Sequence, residues 1–84
     1  MPVTILYFAS LREAVGVSRE EMALESGATI GALVDGLRAR SARWAEAFAP
    51  GKAWRVAVNQ QMASLATSVK AGDEVAFFPP VTGG

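Results

Sequence analysis

Gly72-Asp73-Glu74-Val75-Ala76-Phe77-Phe78-Pro79-Pro80-Val81-Thr82-Gly83-Gly84 closes the chain, and its two halves behave differently. Gly72-Asp73 is a turn pair, and the apolar run Val75–Phe78 after it suits a buried strand. Pro79 and Pro80 stop that strand, because neither has an N–H to give to a ladder. Two prolines also favour a stiff extended path, so the rest is projected away from the fold. The last two residues carry no side chains and could thread a channel too narrow for any other residue. From Pro79 onward the reach is at most about 20 Å. The fold then turns on which strand pairs with Val75–Phe78.

The first strand, Val3–Ala9, is β-branched and aromatic. Val3, Ile5 and Tyr7 share one face; Thr4, Leu6 and Phe8 share the other. Both faces are largely apolar, which predicts a central strand covered on at least part of both sides. Leu11–Gly16 reads as a short connecting helix or turn, with Gly16 able to take the positive φ that ends it. Arg19–Glu25 alternates, Met22 and Leu24 inward and charges outward, as an antiparallel neighbour of the first strand would. Thr29 is a good N-cap for a helix whose stripe is Ile30, Leu33, Val34 and Leu37. Gly36 inside that helix is expected to mark close helix–sheet packing. A second helical stretch carries Trp44, Ala45 and Phe48 and ends at Pro50-Gly51. Trp54–Asn59 alternates as a strand, Asn59-Gln60 is a turn, and the region around Met62 and Leu65 reads as irregular.

Strand, strand, helix, strand, strand makes an α+β domain with one main helix across a small mixed sheet. Pairing the last strand parallel to the first through a right-handed crossover gives a β-grasp (ubiquitin-like) fold. A ferredoxin-like sandwich needs a second full helix between the last strands, and the chain offers none. The expected division is a β-grasp domain over residues 1–78 and an extended, flexible Gly-Gly tail over 79–84.

With 84 residues the chain has room for one domain, and 51% hydrophobic against 19% charged residues rules out disorder. There is no cysteine and no histidine. Disulfides, thiolate zinc sites, cysteine nucleophiles and imidazole bases are therefore excluded, and no metal site is expected. Eight Lys+Arg balance eight Asp+Glu, leaving no cationic surplus for nucleic acid. Arg38, Arg40 and Arg43, with Asp35 and Glu46 beside them, read as a solvated helix face, as do Lys52 and Lys70 as solvated side chains. Trp44 and Trp54 read as core or edge packing. Met1–Ser10 lacks a basic n-region and is too short for a bilayer, so a cytoplasmic protein without a membrane partner is expected.

One reactive group remains. An α-carboxylate, with a pKa of about 3.5, is ionised at neutral pH and is a poor electrophile. An ATP-using partner would have to convert it to an acyl adenylate before a sulfur or nitrogen nucleophile could take the acyl group. Chemistry of this kind resides in the main-chain carboxyl of Gly84, so a chain without Cys or His can carry it.

The closing run Gly72–Gly84 resembles the C-terminus of the small-subunit family of molybdopterin synthase. Phe8-Ala9-Ser10-Leu11-Arg12-Glu13 with Gly16, Arg43-Trp44-Ala45 and Ala57-Val58-Asn59-Gln60 are similar to further segments of that family. The likeness covers essentially the whole chain, and the tail is its strongest part. It implies a sulfur carrier with no bound cofactor. A partner resembling ubiquitin-activating (E1-like) enzymes, an adenylyltransferase/sulfurylase, would use ATP on Gly84, and a sulfur donor would leave a thiocarboxylate there. The tail would then enter the large subunit and give sulfur to cyclic pyranopterin monophosphate. Carried over by position, Gly84 holds the sulfur and Gly83 lets the arm thread. Val81 belongs to the same arm, with Thr82 as an ordinary spacer. Phe77, Phe78, Pro79 and Pro80 orient it and contact partners, Phe78 being the outward one. For Arg12 and Glu13 a structural ion pair is expected. The family suggests two small and two large subunits, and the isolated chain is expected to turn over nothing by itself. Two related roles stay open: a ubiquitin-like modifier joined to lysine through Gly84, and a sulfur carrier of thiamine thiazole synthesis. Carriers of the latter kind are generally shorter and lack a stretch like Arg43–Phe48.

Overall fold

The strand pairing settles on the parallel option. The computed structural model describes residues 2–25 and 27–80. In chain order it contains β1 (Val3–Tyr7), α1 (Ala9–Val15), β2 (Arg19–Met22), α2 (Ile30–Arg38), α3 (Ala42–Ala47), β3 (Arg55–Val58), β4 (Gln61–Met62) and β5 (Glu74–Phe78). The sheet order is β2-β1-β5-β3-β4. β5 lies parallel to β1, with Ile5 opposite Val75 and Tyr7 opposite Phe77. It lies antiparallel to β3, with Arg55 opposite Phe78 and Val56 opposite Phe77. The chain has the β-grasp fold, with the first and last strands side by side at its centre.

Strand alternation sorts the apolar residues onto two faces. Ile5, Tyr7, Val56, Val75 and Phe77 lie under the helices with Leu33 and Leu37 of α2, all buried. Tyr7, Trp44, Phe48, Trp54 and Phe77 form an aromatic cluster, in which Phe48 meets Phe77 at 5.1 Å and Tyr7 meets Trp44 at 5.4 Å between ring centroids. Edge-to-face pairs at such separations add to the burial itself. Both tryptophans therefore pack in or beside the core, as their apolar context predicts.

Local chemistry ends the elements where side chains can satisfy the free backbone groups. Gly16 closes α1 at φ 76°, and Arg43 of α3 donates from Nε to the Ala14 carbonyl and from Nη2 to that of Glu13. Thr29 Oγ1 accepts from Ala32 N at 3.1 Å to cap α2. The other free N–H groups of that helix find the segment expected to be irregular: Ile30 N donates to the Thr67 carbonyl and Gly31 N to that of Leu65, both at 2.9 Å. Glycine suits this close approach, since a Cβ on Gly31 would stand 3.2 Å from the Leu65 carbonyl oxygen, and that carbonyl would have to give by a few tenths of an ångström.

Several expectations need correction. Gly36 makes no close approach, for nothing lies within 4 Å of where its Cβ would be; it sits on the exposed side of α2, off the apolar stripe. The arginine face is not merely solvated. Arg40 grips Glu20 with two hydrogen bonds of 2.7 and 2.9 Å and lies 4.5 Å over the Trp44 ring centroid. Arg43 holds the end of α1. Arg12 and Glu13 do not form an ion pair; among the described residues the pairs are Arg38–Asp35 and Arg40–Glu20. Successive residues on a helix point about 100° apart and do not face one another. β1 stops at Tyr7 and β2 at Met22, each short of the stretch its composition suggests.

Past β3 the chain turns through Asn59 (φ 51°) and Gln60 (φ 68°) into β4, a two-residue strand the sequence does not announce. Positive φ at both positions is the two-residue hairpin geometry that favours Asn-Gly, and here Gln occupies the glycine position. Gln60→Gly is expected to stabilise the fold by about 0.5–1 kcal/mol, through relief of left-handed strain partly offset by chain entropy. A denaturant midpoint that rises with unchanged slope is the expected result; a fall would mean that the Gln60 side chain contributes contacts that outweigh the strain.

Candidate functional site

The tail leaves the sheet from its central strand, which is fixed at both ends. At the start of β5, Asp73 is buried and accepts from Asn59 Nδ2 and from Lys70 N, each at 3.0 Å. Those two donors, the Lys70 N–H foremost, hold its carboxyl below the usual carboxylate range. Asn59 Oδ1 in turn accepts from Glu74 N at 3.0 Å. At the far end Phe8 N donates to the Phe77 carbonyl at 3.0 Å. Beyond Phe78 the ladder stops at Pro79 and Pro80, both half-buried. Pro79 forms one wall of a hollow of about 420 Å³, with Leu11, Ala14, Arg43, Lys52 and Trp54 among its other walls. The candidate residues Val81, Thr82, Gly83 and Gly84 lie outside the described residues.

The two phenylalanines of β5 part company. Phe77 is fully buried among Tyr7, Phe48 and Trp54, so it holds the strand from beneath and presents nothing to a partner. Phe78 turns to the opposite side and is half-buried.

That opposite side is the sheet's open face. All three helices pack on the face of Ile5, Tyr7 and Phe77, while Leu6, Ala76, Phe78, Ala57 and Met62 alternate outward. Phe8, 45% exposed, follows the strand next to β5, and Met62, 66% exposed, stands on the edge strand β4 two strands from it. Apolar side chains gathered on a sheet face that no helix covers make it a candidate binding face. Leu6, Phe8 and Met62 join the candidate residues on this face, and sequence reasoning passed over them as candidates. The signal for the first two is present in the two-sided apolar pattern of β1, because one layer of helices can cover only one side. Met62 is hidden by the unannounced β4.

The neighbouring titratable groups serve structure. Tyr7 Oη donates to Glu20 Oε2 at 2.8 Å, and burial together with that carboxylate holds the phenol well above its usual range. Arg40, ahead of Tyr7, keeps the Glu20 carboxyl below its own. Neither is poised for proton transfer near neutral pH. Among the described residues no cluster of three or more acidic side chains could hold a metal ion, and no helix is long and apolar enough to cross a membrane.

The sequence pattern of the ThiS family matches residues 5–84. The molybdopterin synthase sulfur carrier subunit of Escherichia coli (strain K12) is 46% identical over 82 residues, which span 98% of this chain and 99% of that protein. The subunit of the same description from Haemophilus influenzae is 43% identical over 82 residues, with the same coverage of 98% and 99%. The crystal structure of small archaeal modifier protein 1 from Haloferax volcanii superposes with a TM-score of 0.75 at 27% identity, over 95% of this chain and 98% of that one.

Proposed function

The chain belongs to the ThiS family, and on that premise we propose that it is the sulfur-carrier subunit of a molybdopterin synthase. The observation that carries the reading is the combination of a Gly-Gly end with full-length relatives described as such carriers. A carboxylate oxygen of Gly84 attacks the α-phosphorus of ATP on an E1-like activating partner, releasing pyrophosphate and leaving an acyl adenylate. Sulfide-level sulfur from the donor then attacks the acyl carbon, AMP leaves with one former carboxylate oxygen, and the carrier is released as a thiocarboxylate. In the large subunit that sulfur bonds to a side-chain carbon of cyclic pyranopterin monophosphate as a carbon–oxygen bond at that carbon breaks and the oxygen leaves. Water then cleaves the acyl–sulfur bond, so sulfur stays on the acceptor and the Gly84 carboxylate returns. ATP is thus a substrate of the activating partner, and both partners act in the cytoplasm.

The open face supports this division of labour. Leu6, Phe8, Phe78 and Met62 supply the apolar contact to the large subunit, while the prolines aim the arm into it. Phe77 acts indirectly, by anchoring β5.

A second reading, a ubiquitin-like modifier, is favoured by the structural likeness to the archaeal modifier protein. The presence of α3 speaks against a thiazole-pathway carrier, since such carriers generally lack that stretch. The intact mass of the protein from its own host separates the first two. Exchange of one oxygen for sulfur at Gly84 is the expected result; a population found only as higher-mass conjugates to lysine would favour the modifier instead.

A further inference from the structure

The apolar band on the open face does not by itself encode a direction. Leu6, Ala76, Ala57 and Met62 lie in one row across the strands. A partner covering that row could seat the domain in either of two orientations half a turn apart. Only one of them sends the tail toward the place where sulfur is used.

The charges around the band are not symmetric. Arg55 stands in the row of Phe78, at the tail end. Arg19 stands one row back, beside Leu6. Glu21 and Glu74 stand in the row beyond, both level with Thr4. Rows on one face are about 6.6 Å apart, so the cationic and anionic ends are separated by roughly 10 Å, comparable to a Debye length at physiological salt. None of the four takes part in an ion pair among the described residues, and Arg19, Glu21 and Arg55 are exposed. The face is therefore a charge-poled surface on a chain with zero net charge.

We propose that this polarity is an orientation code read by the large subunit. Its docking surface carries carboxylates flanking the mouth that takes the tail, opposite Arg55 and Arg19, and cations where Glu21 and Glu74 land. The inference rests on the sulfur-carrier reading and adds to it the chemistry of the partner surface. Apolar contact supplies affinity, whereas the charge pattern penalises the half-turn mistake, in which like charges meet.

The test measures association of the carrier with its cognate large subunit across a range of ionic strength. In the pole-inverted variant, Arg19→Glu, Arg55→Glu, Glu21→Arg and Glu74→Arg keep the net charge at zero. Wild-type association is expected to slow as salt rises. The inverted variant is expected to associate about tenfold or more slowly at low salt and to gain speed as salt rises. The reduced exchange Arg19→Glu with Glu21→Arg, confined to the edge strand β2, should move the same way to a smaller extent, and it guards against misfolding of the quadruple variant. Phe78→Asp is the control for the face itself and should weaken binding at every salt concentration. If both charge variants associate as wild type does while Phe78→Asp fails to bind, the orientation code is wrong and the docking face stands. If Phe78→Asp also binds normally, the face is not the docking surface and both readings fall.

Discussion

Deleting Gly84 is expected to remove nearly all sulfur transfer while leaving the domain folded and its affinity for the large subunit within a few-fold of wild type. The shortened chain still ends in a carboxyl, now on Gly83, so the experiment does not simply abolish the functional group. It withdraws that group by about 3.5 Å, one extended residue. Reacting atoms tolerate little misplacement, and an error of about 1 Å can cost about a hundredfold. A withdrawal of several ångströms should therefore reduce transfer by more than that. Binding should survive because Leu6, Phe8, Phe78 and Met62 belong to the sheet and its margin, not to the arm. Single-turnover transfer and equilibrium binding, measured on the same preparation, separate the two effects. Full transfer by the shortened chain would remove every role assigned to the terminal glycine.

Phe77→Ala and Phe78→Ala are expected to fail in opposite ways although the residues are adjacent. Phe77 is wholly enclosed on the central strand, stacked 6.0 Å from Tyr7 and edge-on to Trp54 at 5.6 Å between ring centroids. Truncating a buried phenylalanine costs about 3–5 kcal/mol, and a domain of this size holds only about 5–10 kcal/mol in total. The Phe77 variant should thus lose about half its stability and show a large drop in denaturant midpoint. Phe78 is half-buried on the open face, so its truncation should cost about 1 kcal/mol of stability. Its affinity for the large subunit, by contrast, should fall about thirtyfold, as at an aromatic hot spot. A Phe78 variant with unchanged affinity, or a Phe77 variant with unchanged stability, would reverse the assignment of faces.

The same pair of residues shows how far the sequence could be read. Strand alternation is a local rule, and it separates Phe77 from Phe78 without any coordinates. Alternation makes Phe78 the outward residue, as the structure has it; pairing in phase with Tyr7 across the parallel strands then puts Phe77 on the buried face, away from partners. The β-grasp topology was readable for a related reason, because the first strand and Val75–Phe78 are the most apolar segments and belong together at the centre. The features that stayed hidden depend on distant partners. Nothing local marks Arg40 as the ligand of Glu20, or Leu65 and Thr67 as the acceptors that finish the start of α2. Gly36 and Gly31 look alike in sequence; only at the second does a backbone group, the Leu65 carbonyl, pass as close as 3.2 Å to the site of the missing Cβ. β4 is too short, at two residues, to carry a periodicity, so the placement of Met62 on the open face has no local signal.

The central claim is that sulfur rides on the main-chain carboxyl of Gly84, and the most direct measurement is the intact mass of the purified chain after incubation with ATP, an activating enzyme and a sulfur source. The expected result is a mass increase equal to one oxygen-to-sulfur exchange, mapped by fragmentation to Gly84, dependent on ATP, and reversed when the large subunit and cyclic pyranopterin monophosphate are added. An unchanged mass with an activating enzyme that loads a known carrier, or sulfur found anywhere but on Gly84, would contradict it.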